Sequence, residues 1–217
     1  MRKMFALLLT LSLIIACRNE HEMNIKSLAS KKESKTVIPI TSTPKTISIY
    51  RYDNFSLQSA QKLESQLKMY FPNVVLKEKT LLLPTKHYNK ERNRYRGTGL
   101  FDELSKHRDG DAVIGLTNKV IFQTNEISPT YGIMGISPVG TYKCVVSSKL
   151  PKTGKDQSEE NFVKLSLHEL GHAFGLNHCP DQHCFMVDAE HKMKFPQTTK
   201  FCKNCKSKLN AKGWTIK

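Results

Sequence analysis

One short segment restricts what this chain can fold into more than any other. Residues 168–178 read HELGHAFGLNH, which is the pattern H-E-x-x-H-x-x-G-x-x-H. Residues four apart on an α-helix lie about one turn apart on the same face, so His168 and His172 can reach one metal ion. Gly175 can take the positive φ that ends a helix, which lets His178 approach the same ion from another direction. The segment therefore predicts a helix, a sharp turn and a three-histidine metal site.

The type of ligand and the residue beside it indicate the chemistry of this site. Three imidazoles leave one position of a tetrahedral zinc ion open for water, which is the arrangement of catalytic zinc. Glu169, about 100° round the helix from His168, can act as general base toward the zinc-bound water and then protonate the leaving amine. These residues predict zinc-dependent hydrolysis of peptide bonds. A zinc site that has lost catalysis is the alternative, although Glu169 is present.

The residues around the motif fit a helix that packs against a core. Asp156 followed by Glu159 resembles a capping box at the start of the helix. Four apolar residues fall within about 60° of one another at helical spacing. They are Val163, Leu167, Leu170 and Phe174. We expect this stripe to face the core while the histidines face a cleft.

The earlier part of the chain alternates strand and helix patterns. Strands are predicted at 46–52, 72–83, 111–116 and 142–146, helices at 56–70 and 100–107, a loop at 84–96, and turns at Gly132, Gly135 and Gly140. This order predicts an α/β (α+β) fold, and the length of the chain fits one catalytic domain over residues 46–217.

The N-terminus is typical of an export signal. Residues 1–17 begin with Met1-Arg2-Lys3, continue through an apolar run, and end Ala16-Cys17. A small residue before a cysteine resembles the bacterial lipobox, in which Cys17 becomes the lipidated first residue. Residues 18–45 are polar and predict a flexible tether. We expect an exported lipoprotein, anchored in the membrane of a bacterial cell envelope. An ordinary cleaved signal with an incidental cysteine is the alternative.

The charge of the chain bears on its partners. The formal net charge is +15, and +13 remains without residues 1–17, which carry Arg2 and Lys3 and no acidic residue. Such a balance favours contact with anionic surfaces. No nucleic-acid-binding motif is present and the lysines are dispersed, so we expect no nucleic acid partner.

Four cysteines after the histidine motif form two close pairs. They are Cys179, Cys184, Cys202 and Cys205. Two such pairs are the arrangement of a structural zinc ion with four thiolate ligands, and a bound metal protects thiolates from oxidation. Export also makes disulfides possible, and these remain the alternative. Cys144, in an apolar strand pattern, is interpreted as a buried core residue.

The spacing of these residues resembles one family. A third histidine followed at once by Cys179, then Cys184, Met186 and a C-x-x-C pair, is similar to the archaemetzincins over residues 168–205. The resemblance implies a compact metzincin-like zincin with a mixed sheet, an active-site helix and a C-terminal four-cysteine zinc subdomain. It also implies two zinc ions, one catalytic on the three histidines and one structural on the four cysteines. Met186 would be the residue of the Met-turn, an apolar floor beneath the imidazoles.

These features define the expected partners. They are a peptide or protein substrate and a membrane bound through Cys17, and the chain is expected to be a monomer. The strand near residues 142–146 is expected to hold an extended peptide by strand addition. The alternative function is a catalytically inactive, zinc-braced module that binds peptides on the membrane surface. No oxyanion-stabilising side chain is assigned, because residues 187–200 contain no tyrosine.

Overall fold

The computed structural model describes residues 44–53, 55–107, 109–125, 128–188 and 197–217. The predicted signal with Cys17, and the tether up to residue 43, lie outside the described residues. The helices of the described part are α1 (Leu57–Leu67), α2 (Gly97–Leu104), α3 (Glu159–Ala173) and α4 (Lys203–Ala211). The strands are β1 (Thr46–Tyr52), β2 (Asn73–Leu81), β3 (Tyr88–Asn89), β4 (Arg94–Arg96), β5 (Ala112–Thr117), β6 (Ile121–Gln123), β7 (Tyr131–Ile133), β8 (Gly135–Ile136) and β9 (Lys143–Ser147).

The main sheet has five strands in the order β2-β1-β5-β9-β8. The first four run parallel and β8 runs antiparallel to β9, so the predicted mixed sheet is confirmed. The central strand β5 is buried along its whole length. An uninterrupted apolar run such as Ala-Val-Ile-Gly-Leu is typical of a strand that is covered on both faces.

Helices cover both faces of this sheet. Alternate residues of β1 point to opposite sides, so Ile47 and Ile49 join a core cluster with α1 and α3, whereas Tyr50 and Tyr52 join a second cluster with α2. The second sheet, in the order β3-β4-β6-β7, packs on the α2 side, where Ile121 is buried. None of the described helices is both long enough and apolar enough to cross a membrane.

The start of α3 differs from the predicted capping box. Ser158 is the N-cap, and its hydroxyl accepts a hydrogen bond of 3.2 Å from the Asn161 backbone N–H. Asp156 instead pairs as an isolated bridge with Lys149, and its carboxylate lies 2.9 Å from the Lys149 Nζ atom. The prediction for Asp156 was wrong because this bridge holds the chain extended until Ser158.

The segment predicted as a loop at 84–96 contains regular structure. A short 3-10 helix spans Thr85–His87, and β3 and β4 form an antiparallel pair in which Tyr88 lies opposite Tyr95. The two tyrosine rings are 4.9 Å apart between centroids. Strands of two and three residues are too short for an alternating pattern to show in the sequence.

Candidate active site

The histidine motif lies at the end of α3 and in the turn that follows it. Gly175 has a φ of +90°, as the motif predicted, in a region that side chains with a Cβ rarely adopt. Its N–H bonds to the His172 carbonyl at 2.8 Å, and the Leu176 N–H bonds to the Gly171 carbonyl at 2.9 Å. This pair of bonds is the Schellman arrangement, and it turns the chain back so that His178 lies beside the helix.

The three predicted histidines come together. Their ring centroids are 4.6 Å apart for His168 and His172, 4.8 Å for His172 and His178, and 5.5 Å for His168 and His178. Each ring offers a nitrogen atom, and these atoms all lie within 4.8 Å of one another. The Nε2 atoms of His168 and His172 are 3.1 Å apart. The structure therefore places three nitrogen donors around one point.

Backbone carbonyls determine which nitrogen of each helix histidine carries the proton. The Nδ1 atom of His168 lies 2.6 Å from the Phe185 carbonyl oxygen, and that of His172 lies 2.8 Å from the Leu176 carbonyl oxygen. A carbonyl oxygen only accepts, so each Nδ1 donates. Burial lowers the pKa of His168 to about 4 and also lowers the pKa of His172. Both rings are thus neutral, with lone pairs on Nε2.

Two lone pairs that face each other at 3.1 Å repel unless a cation lies between them. Zinc–nitrogen bonds of 2.0–2.1 Å at tetrahedral angles place two nitrogens about 3.3 Å apart. The observed separation is close to this value. The donor set of His168 and His172 therefore fits a zinc ion, and this fit follows from the tautomers as well as from the spacing.

The third histidine has a carboxylate rather than a carbonyl as its partner. The Nδ1 atom of His178 lies 3.5 Å from the Asp188 Oδ2 atom. A carboxylate on this side favours the Nδ1–H tautomer and leaves Nε2 free to bind a metal. Asp188 was not predicted from the sequence. Its position two residues after Met186 was the only available signal, and no helix or strand spacing connects it to the histidines.

Glu169 lies on the neighbouring face of α3 and is buried, with 8% of its surface exposed. Burial raises the pKa of the Glu169 carboxyl group to about 8. A divalent cation on the adjacent histidines would favour the charged form and oppose this shift. The carboxyl group packs against the backbone of Gly135 in β8. Glu169 thus lies between the helix that carries the histidines and one strand of the main sheet.

Among the residues that the structure describes, that strand is the last one of the main sheet on this side. β9 pairs with β5 on one side and with β8 on the other, so the prediction that residues 142–146 hold a peptide by strand addition was wrong. Gly135 pairs with Val146, and Ile136 with Val145. Gly132 and Gly135 therefore lie in strands and not in turns, whereas Gly140 is in a turn with a φ of +77°.

The connection between β8 and β9 caps the C-terminus of the histidine helix. The Gly140 N–H bonds to the His172 carbonyl and the Tyr142 N–H to the Ala173 carbonyl, both at 2.9 Å. Carbonyls in the last turn of a helix have no partner within the helix, so these bonds stabilise its end. They also fix β8 and α3 relative to each other.

The four predicted cysteines form a second cluster, and all four are free thiols. Their Sγ atoms lie within 4.8 Å of one another, and Cys179–Cys202 and Cys184–Cys205 are separated by 3.7 Å. Zinc–sulfur bonds of 2.3 Å at tetrahedral angles place two sulfurs about 3.8 Å apart. Burial raises the pKa of Cys184 to about 11, so a cation is needed to hold it as a thiolate. The cluster therefore fits a zinc ion.

The sequence profile of peptidase family M54 matches residues 49–211. The chain belongs to peptidase family M54. An archaemetzincin from Methanopyrus kandleri is 30% identical over 148 residues, which cover 66% of this chain and 82% of the relative. These relationships make the chain a zinc metallopeptidase and confirm the archaemetzincin resemblance.

Solved structures agree with this assignment. The crystal structure of the archaemetzincin from Methanopyrus kandleri has a TM-score of 0.64 and 26% identity, and the match covers 78% of this chain and 95% of that one. The archaemetzincin from Archaeoglobus fulgidus has a TM-score of 0.60 at 23% identity, with coverage of 75% and 99%. The similarity to the Archaeoglobus fulgidus structure shows that the two chains share a fold. The predicted mixed α/β architecture is confirmed.

Met186 packs against the histidine helix of this M54 peptidase. It is fully buried, and a Cβ built on Gly171 would lie 2.2 Å from its Sδ atom. The Met186 side chain therefore contacts the backbone of α3 between His168 and His172. Its carbonyl accepts a hydrogen bond of 2.8 Å from the Cys179 N–H, which connects the methionine segment to the residue that follows His178.

Proposed function

We propose that this M54 peptidase hydrolyses peptide bonds with a catalytic zinc ion on His168, His172 and His178 and with Glu169 as general base. The observation that carries the proposal is the pair of Nε2 lone pairs 3.1 Å apart, beside a buried carboxyl group. A bound zinc ion would polarise the substrate carbonyl and lower the pKa of a water molecule. The other roles in the reaction are supplied by side chains and backbone groups of this chain.

Glu169 supplies the proton transfer. It accepts a proton from the attacking water and delivers it to the amine that leaves. Its burial against β8 supports this role, because a carboxylate shielded from solvent is a stronger base than an exposed one. The neutral Nδ1–H groups of His168 and His172 stay engaged with the Phe185 and Leu176 carbonyls, so these rings do not compete for the proton.

The substrate is an extended peptide that pairs with the free edge of β8. Strand addition supplies backbone hydrogen bonds without requiring a particular side chain, and it brings the scissile bond past Glu169, which packs against Gly135. Val139 and Tyr142, in the connection that follows β8, are 52% and 41% exposed. They offer apolar contacts to the side chains of such a peptide.

A second zinc ion on Cys179, Cys184, Cys202 and Cys205 braces the segment beyond His178. The 3.7 Å sulfur separations support this proposal over two disulfides. Two zinc ions per chain are therefore expected. The second ion has no open position for substrate, since four thiolates complete a tetrahedral site.

Cleavage of a pooled peptide library by the full-length protein tests the proposed function. We expect products by mass spectrometry, loss of cleavage with a chelator, and recovery when zinc is added back. Circular dichroism under each condition checks that the fold persists. Binding of peptides without any cleavage would favour the alternative, a zinc-braced module that only binds peptides.

We also propose that the chain is an exported lipoprotein anchored at Cys17. The support is the sequence pattern of residues 1–17 together with a basic C-terminal segment, since residues 197–217 carry six lysines and no acidic residue. Cys17→Ala should move the protein from the membrane fraction to a soluble or unprocessed form. Cys144→Ala is the matched control, and it should stay in the membrane fraction. A processed Cys17→Ala protein that still needs detergent for extraction would contradict the anchor.

A further inference from the structure

The Glu169 carboxyl group occupies space that exists because residue 135 is a glycine. A Cβ built on Gly135 would lie 2.4 Å from Oε1, 2.5 Å from Cδ and 2.6 Å from Cγ of Glu169. Contacts of this kind below 3.0 Å essentially never occur for real Cβ atoms. The end of the Glu169 side chain therefore lies directly on the strand backbone.

Packing, and not hydrogen bonding, defines the position of this carboxyl group. No described residue donates a hydrogen bond to the Glu169 carboxylate or forms an ion pair with it. A glutamate side chain has several staggered rotamers, so an unbonded carboxylate needs walls to hold one of them. α3 supplies one wall, and the backbone of β8 at Gly135 supplies the other.

The wall at Gly135 is fixed in place. Gly135 pairs with Val146 of β9, and the Ser147 N–H bonds to the Met134 carbonyl at 2.8 Å. The side chain of Ile136, the next residue of β8, packs against the second core cluster. The capping bonds from Gly140 and Tyr142 hold the following segment to α3. The strand therefore has little freedom to retreat from Glu169.

We propose that Gly135 is a positioning residue for the general base: its bare backbone is the surface that places the Glu169 carboxylate for proton transfer. This inference rests on the proposed function of Glu169. Gly135 itself takes no part in proton transfer. Gly135 determines where the Glu169 carboxylate can lie, and the same strand pairs with the substrate through its outer edge. The general base and the substrate are therefore both positioned by β8.

Gly135→Ala should therefore lower kcat without removing the metal. The added methyl group displaces the carboxyl group by about 1 Å, and a misplacement of this size costs on the order of 100-fold in rate. KM should change by less than about threefold, because the peptide still pairs with the β8 backbone. Zinc content should equal that of the wild type, since no histidine moves.

A double-mutant cycle measured by thermal unfolding distinguishes the contact between residues 135 and 169 from a general effect on the fold. Gly135→Ala should lower Tm by about 2–4 °C in the parent protein, because the buried Glu169 side chain must shift away from its present rotamer. In a Glu169→Ala background the carboxyl group is gone and the new methyl group fills its space. There the same substitution should lower Tm by no more than about 1 °C.

Gly132→Ala is the matched control. A Cβ there would lie 2.5 Å from the Pro151 Cβ atom and 3.2 Å from the Arg94 Nη1 atom, so the added methyl group meets a rigid proline ring and not Glu169. This substitution should lower Tm equally in both backgrounds and leave kcat within about threefold of the parent. Equal Tm costs for Gly135→Ala in the two backgrounds, an unchanged kcat, or loss of zinc would each overturn the inference.

The inference and the proposed function can fail separately. Wild-type turnover in a Glu169→Gln variant would refute the general base, and with it the catalytic consequence of Gly135. Equal Tm costs in the cycle would refute the role of Gly135 even where Glu169 proves essential.

Discussion

Glu169→Gln should retain the zinc of the parent protein but lower kcat by about a thousandfold or more. The amide has almost the same shape as the carboxyl group and fits the same space against Gly135. It cannot accept a proton from water. The three histidines are unchanged, so metal binding and proton transfer are separated in one substitution.

Zinc per chain and turnover of a peptide found by library screening provide the measurement. Glu159→Gln is the matched control, because Glu159 lies in the first turn of the same helix and its carboxylate forms an exposed ion pair with the Lys62 Nζ atom at 2.6 Å. It should have little effect, as surface ion pairs contribute roughly 0–1 kcal/mol. A Glu169→Gln protein that turns over within tenfold of its parent would show that another group serves as base.

The histidine site could be predicted because its determinants are local. The four-residue spacing of His168 and His172 follows from helix geometry, and the reversal at Gly175 follows from one residue that tolerates a φ of +90°. Neither feature needs information about distant parts of the chain. The positions of these residues were therefore available from one short segment.

The surroundings of the site depend on contacts that are far apart in the sequence. The Phe185 carbonyl that sets the His168 tautomer is 17 residues away, and Gly135 is more distant still from Glu169. The order of the strands also determines which strand lies at the edge of the main sheet. Residues 142–146 look like a strand that could accept a peptide, but pairing with the two-residue β8 covers that side. A strand this short leaves no periodic pattern.

The cysteine cluster could be predicted from the sequence only in part. The two close pairs in the sequence indicated one site but left zinc and disulfides as alternatives, and the sulfur separations favour zinc. The structure places the Sγ atoms of Cys179 and Cys202, and those of Cys184 and Cys205, 3.7 Å apart, so both contacts join the two segments. Cys202 is also the N-cap of α4, so that helix begins at the cluster.

The second large effect is expected from Cys179→Ser, because His178 and Cys179 are joined by a peptide bond. Loss of one thiolate should first release the zinc of the cysteine cluster. Residue 179 also bonds to the Met186 carbonyl at 2.8 Å and pairs as a bridge with Val187, which precedes Asp188. Release of this segment therefore loosens His178 and its carboxylate partner together.

We expect zinc affinity at the histidine site to fall on the order of 10- to 100-fold in Cys179→Ser, as for the loss of groups that support metal ligands. Zinc stoichiometry and retention against a competing chelator measure this. Cys144→Ala is the control, since it removes a buried thiol outside both clusters at a packing cost of roughly 1 kcal/mol, and it should keep both ions. Two firmly held zinc ions in Cys179→Ser would refute the coupling. One zinc ion with two disulfides in the wild-type protein, detected by mass, would show that the cysteines hold the segment covalently and leave the histidines as the only metal site of the described chain.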